Sequence, residues 1–238
     1  MTQRLRPVVA IDGPAGAGKT TVTRRVAEEL GYLLVGTGSL YRSVALAAHR
    51  RGVDWDDAQR VGELAAELAR TGAIVLEPGP TGQRVRLDGE DITDDLVTRH
   101  ISEGASKVSA HPPVRSALLE LQRAAGRDGG VVLEGRDIGT AVFPDAEAKF
   151  FLTASVEVRA ERRFLELQAR GEQADLDAIR REVEARDQRD SSRAVAPLRQ
   201  ARDAELVDSS SLTVAQVVER MVTRVRRIEQ SLQRGRTA

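Results

Sequence analysis

The string GPAGAGKT at residues 13–20 constrains this chain more than any other stretch. It stands between the β-branched run PVVAID and the helically spaced TTVTRRVAEEL. Strand, glycine-rich turn and helix in that order are the context in which a phosphate-binding loop (P-loop) works. The glycines let backbone N–H groups converge on phosphate oxygens, and the helix N-terminus adds partial positive charge. Gly13, Pro14, Ala15, Gly16, Ala17, Gly18, Lys19, Thr20 and Thr21 are therefore candidate nucleotide contacts. Lys19 offers a compact ammonium for β- and γ-phosphates, and Thr20 a hydroxyl suited to Mg²⁺. Of the 36 basic residues, 33 are arginine, so a lysine at this position stands apart.

Strand texture is expected at PVVAID, YLLVG, GGVVLEGRD, KFFLTAS and AELVDSS. Helices are expected near residues 20–30, 39–52, 55–70, 109–127, 155–170, 175–189 and 213–233, with QRGRTA as a frayed tail. The short runs AIVLEP, QRVRLDG and EDIT, with PGPTG and DG turns, suggest a small antiparallel excursion. Strands separated by helices imply an α/β fold of parallel βαβ units with helices on both faces. Ligands on such sheets sit at the carboxyl ends of the strands. A length of 238 residues suits one large domain.

Formal net charge is zero, so no global field draws the chain to nucleic acid or an anionic membrane. Cysteine is absent and the three histidines are scattered, which argues against disulfides and His/Cys metal centres. No apolar run reaches signal-peptide or membrane-spanning length, so a cytoplasmic location is expected. Asparagine is absent too, which argues against the Asn-Lys-x-Asp guanine loop of a GTPase. A small-molecule kinase remains, and it needs a second anion site facing the first. Three regions offer it: residues 36–42, GRD at 135–137 and RDQRDSSR at 186–193. On a helix, Arg186, Asp190 and Arg193 share a face at i, i+4 and i+7. Between residues 180 and 202, seven arginines stand against four acids. Taken alone, an arginine-rich helix also reads as a solvated face, and GRD as a turn with a surface ion pair. Two polyanions held in line would use these charges together, under an arginine-bearing lid that keeps water out.

VVAIDGPAGAGKTT, TGSLYR, LEGRDIGTAVFPDA, KFFLTAS, RDQRDSSRAVAPL and the closing LVDSS-helix together resemble the bacterial cytidylate kinase family over nearly the whole chain. That resemblance implies a single three-layer αβα P-loop kinase domain over 1–238 with a five-stranded parallel core sheet. It implies a CMP-binding region at 37–115, with a small antiparallel insert at about 73–102, and a short helical lid at 158–193. The implied reaction moves phosphate from ATP to CMP or dCMP with Mg²⁺, in a monomer with no nucleic-acid or membrane partner.

Carried across by motif, Lys19, Arg136, Arg186 and Arg193 resemble the catalytic cations, and Arg162 a further ATP contact. Arg42, Arg136 and Arg193 resemble grips on the acceptor phosphate, with Thr37 beside them, and Tyr41 a wall of the pyrimidine pocket. Asp137 and Arg186 resemble a sugar-facing pair, and Ser106, Arg115 and Asp190 the cytosine readers. Position 36 departs from the family's usual string: Gly36 stands where an aspartate is usual. A kinase for UMP, dTMP or a non-nucleotide acceptor is the near alternative. A nucleotide sensor without turnover is the distant one.

Overall fold

The computed structural model describes residues 4–79 and 82–237. The chain begins with β1 (Val8–Asp12), α1 (Lys19–Leu30), β2 (Leu33–Gly36), α2 (Gly38–Arg50) and α3 (Ala58–Thr71). A hairpin with a short third strand follows: β3 (Ile74–Gly79), β4 (Gly82–Leu87) and β5 (Glu90–Asp91). Next come α4 (Arg99–Val108), α5 (Pro112–Gly126), β6 (Val131–Gly135), a π-helical turn (Ile138–Val142) and β7 (Ala148–Thr153). The chain closes with α6 (Val156–Ala169), α7 (Leu176–Ser191), β8 (Glu205–Asp208) and α8 (Val214–Thr237).

The main sheet runs β2-β6-β1-β7-β8, and every neighbouring pair is parallel. Its central strand shows why. Val8 and Ala10 join one core cluster with Leu133, Ile138 and Val142, whereas Val9 and Ile11 join another with Val22, Phe150 and Met221. Alternate side chains of a strand point to opposite faces, so an unbroken apolar run must be covered on both. Helices α1 and α8 cover one face; α5 and the π-helical turn cover the other. A second core joins α2, α3, α4 and α5 to the β3-β4-β5 sheet through Val44, Leu64, Leu68, Val85, Ile101 and Leu118. Helices α6 and α7 share a smaller cluster of Ala160, Leu167, Ile179 and Val183. A small cluster of this kind opens at lower cost than a main core.

Several boundaries differ from expectation. Helix α3 starts at Ala58, where Asp57 accepts from the Arg60 N–H, and Trp55 lies outside it. Helix α4 was not expected. Its mid-helix Gly104 lowers helical propensity. The tertiary contact requires that glycine, because a Cβ there would stand 2.5 Å from the Trp55 ring. The closing helix continues to Thr237, past the expected start of a frayed tail. Part of the expected PGPTG turn, at residues 80 and 81, and the terminal residues 1–3 and 238 lie outside the described residues. No helix among the described residues is long and apolar enough to cross a membrane.

Candidate active site

Parallel strands bring the carboxyl ends of β1, β2, β6 and β7 to one edge, and the sequence-predicted segments meet there. The loop after β1 is pressed against the sheet. A Cβ on Gly13, whose φ is 155°, would lie 1.9 Å from the Leu152 carbonyl oxygen, so only glycine passes. Lys19 is buried and donates from Nζ to the Pro14 carbonyl at 2.7 Å. Burial, with the Arg136 and Arg186 guanidiniums nearby, holds its ammonium well below the usual lysine pKa. A polyphosphate in the loop would reverse that penalty by supplying opposite charge. Thr20 and Thr21, in the first turn of α1, are exposed. Arg162 donates to Ser209, to Oγ at 3.1 Å and to the carbonyl at 2.8 Å, and its Nη1 lies beside Gly18.

Two acids not singled out from sequence support this loop. Glu134 of β6 accepts from the hydroxyls of Thr20 and Thr23, both at 3.0 Å. Asp12, at the end of β1, accepts from the Ile138 and Gly139 N–H groups, both at 2.8 Å. Burial pushes the Asp12 carboxyl up to about 6 despite those hydrogen bonds. Each acid interrupts or ends an apolar strand, VVLEG or VVAID, and that interruption was the available signal. The Thr20 hydroxyl and Glu134 carboxylate are hard oxygen donors, which fit Mg²⁺. No cluster of three or more metal-ligating side chains occurs among the described residues. Mg²⁺ needs none, because it keeps waters and substrate phosphates as ligands.

Facing the loop is a ring of arginines around Asp190, which is 1% exposed. Arg136 donates from Nε to one Asp190 oxygen at 2.9 Å, and Arg193 bonds the other. Burial opposes ionisation of Asp190, yet Arg136, Arg193 and Arg186 outweigh it and hold the carboxyl below its usual value. Arg186 is less provided for: its Nε is buried without a partner, and burial, with Arg136 beside it, pulls it down to about 9. Burial also lowers Arg42, against the opposing pull of Glu134. This is a site with more positive charge than its own carboxylates neutralise.

Behind the ring is a polar pocket. Arg115 is ion-paired with Asp137, donates to the Ser109 carbonyl at 3.1 Å and lies 5.5 Å over the Tyr41 ring. Ser106 is buried, and both its hydroxyl and that of Tyr41 are buried without partners. Ser109 was not singled out from sequence; its Oγ accepts from Arg193 at 3.1 Å and so ties the ring to α4. Thr37 spends its hydroxyl on the Glu134 carbonyl at 2.8 Å.

Asp137 pairs with Arg115, and Asp190 with Arg136 and Arg193. Gly36 has no positive φ to demand glycine. Its N–H donates to Gln83 Oε1 at 2.7 Å, and a Cβ there would lie 3.6 Å from Glu134 Oε1.

The family model described as cytidylate kinase matches residues 9–227. A cytidylate kinase of Syntrophotalea carbinolica is 51% identical over 215 residues, covering 90% of each chain. One of Pseudomonas aeruginosa is 49% identical over 216 residues, covering 91% of this chain and 93% of the relative. A bifunctional pantoate ligase/cytidylate kinase of Synechococcus is 46% identical over 94% of this chain and 41% of its own length. With a match of that extent and identity joined to a P-loop that faces an arginine ring, the chain belongs to the cytidylate kinase family.

Proposed function

We propose that this protein transfers the γ-phosphoryl group of ATP to CMP or dCMP, as a cytoplasmic monomer in pyrimidine nucleotide metabolism. The observation that carries this reading is the facing pair of anion sites: the glycine loop with Lys19 on one side, the Asp190-centred arginines on the other. The loop and Lys19 bind the donor polyphosphate, with Lys19 leaving the Pro14 carbonyl. Arg42, Arg136 and Arg193 hold the acceptor phosphate in line, and Arg186 adds charge where the transferring group becomes exposed. An acceptor phosphate oxygen attacks the γ-phosphorus, a new O–P bond forms, and the bond to the β-phosphate oxygen breaks to release ADP. A monoester phosphate has its second pKa near 6, so the nucleophile is largely ionised at neutral pH and requires no general base. Mg²⁺, when bound, offsets charge on the β- and γ-oxygens, and Thr20 with Glu134 would hold it.

The base falls to the inner pocket. Cytosine presents an N4 amino donor, which a carboxylate accepts, and its O2 and N3 accept from groups such as arginine and serine. Ser106, Arg115 and Asp190 supply that set, with Tyr41 as a wall and Asp137 with Arg186 facing the sugar. Uracil would turn a carbonyl toward the carboxylate and be repelled. Asp190 also supplies the negative charge that keeps the arginines together.

An ADP-release assay across CMP, dCMP, UMP, dTMP and AMP tests the assignment: CMP and dCMP must be the best acceptors, and any other ranking overturns it. In the same panel Asp190→Ala should narrow the CMP over UMP ratio of kcat/KM about tenfold, the scale of one lost base contact. Asp137→Ala should slow every acceptor with a smaller change of ratio. The reverse pattern would move base reading to Asp137.

A further inference from the structure

We infer that Arg159 and Asp187 form a positioning pair that couples the donor loop to the acceptor arginines, an inference that rests on the kinase reading above. Arg159, in the first turn of α6, is 4% exposed. Its guanidinium is spent in three directions. Nε donates to the Ala154 carbonyl at 2.9 Å, Nη1 to the Ala15 carbonyl of the P-loop at 3.1 Å, and Nη2 to Asp187 Oδ2 at 2.6 Å. The start of α6 also packs directly on the loop: a Cβ on Gly16 would stand 3.1 Å from the Arg159 Cβ.

Asp187 lies on α7 next to Arg186 and one turn before Asp190. Its other oxygen, Oδ1, is buried without a partner, so Arg159 carries its charge compensation. One planar fork therefore holds a carbonyl of the donor loop and the helix that presents Arg186 and Asp190. A lysine, with a single point charge, cannot span both with comparable geometry. The bond at Ala15 matters because its neighbour changes on binding. Lys19 is held by the Pro14 carbonyl at 2.7 Å, and drawing Lys19 to a polyphosphate frees that carbonyl one peptide away from the Arg159 contact. Arg159 passes the adjustment to α7 through Asp187. Coupling between two sites is reciprocal, so CMP bound against the ring must favour the donor as much as the donor favours CMP.

Calorimetric titration of CMP, with and without a non-hydrolysable ATP analogue, tests this in the wild type, Asp187→Asn and Arg159→Lys. The analogue should tighten CMP about tenfold in the wild type, within the usual range of coupling. It should tighten CMP less than about twofold in both variants, by the same reasoning. Asp187→Asn keeps the side chain's shape at a position 25% exposed, so its Tm should stay near the wild-type value and it decides the matter if Arg159→Lys misfolds. A wild type indifferent to the analogue, or variants that keep the full tightening, overturns the strut. A wild type that phosphorylates no CMP overturns the kinase reading instead.

Discussion

The two sides of the cleft hold anion-binding charge in opposite ways. The P-loop is built from backbone: Gly13 pressed on β7, Gly16 on the start of α6, N–H groups at the start of α1, and one lysine whose ammonium burial and nearby arginines disfavour. The ring is built from side chains drawn from β6's end, α7 and the segment after it, held together by a carboxylate at its centre. Their buried acids show the difference. Asp12 and Asp190 are 4% and 1% exposed, yet the first is pushed up to about 6 and the second held below its usual value. Burial is alike in the two; Asp12 has peptide N–H groups for partners, whereas Asp190 has guanidiniums. A loop made of backbone can wait for charge, but a cluster of arginines needs a resident anion to exist at all.

The sharpest way to break this contrast is kinetic. Lys19→Ala should lower kcat by about a thousandfold, the scale of a lost transition-state donor. It should leave Tm unchanged or higher, because a costly buried amine is removed. Arg136→Ala should lower kcat about a hundredfold and also cost about 3 kcal/mol of stability, since Asp190 is left under-compensated. If Lys19→Ala lowers Tm as much as Arg136→Ala does, the two sides do not differ as argued.

Stability against pH comes next. Asp12, with a folded value above its ordinary 3.8, stabilises the fold most below about pH 4 and loses that contribution as pH rises through about 6. Asp190 behaves in the reverse sense: its contribution is present above the ordinary value and is lost as pH falls through the folded value. Urea unfolding of Asp12→Asn should therefore improve relative to the wild type between pH 4 and 7, by about 3 kcal/mol. A difference that does not vary with pH would show that burial does not set the Asp12 carboxyl.

The smallest effect is expected at the seam between the two sides. Gly36→Asp would bring a second carboxylate beside Glu134 and into the approach of two polyanions. KM for CMP should rise about threefold, a surface-scale electrostatic term. An unchanged or lower KM would mean that Gln83 turns the new carboxylate away.

Much of the donor side was legible in the sequence. PVVAID, GPAGAGKT and the following helix each announce themselves over a few residues, and an unbroken apolar run in one strand already requires two covering layers. Arg136, Arg186 and Arg193 were also found, by motif. The chain's arginine bias hid Arg159, one of 33, because nothing local separates a buried strut from a solvated side chain. Helix α4 was hidden by Gly104, whose local propensity opposes a helix that the Trp55 contact demands.

By itself, then, the sequence determined the parallel sheet, the phosphate loop and the cations gathered after its strands. These follow from steric rules and periodicities that act within a few residues. Only the tertiary structure decided which acid meets which arginine. Asp190 and Arg136 are 54 residues apart, and Asp137 and Arg115 are 22. Pairings at such separation depend on where whole elements pack, and the same motif residues could have been joined the other way around.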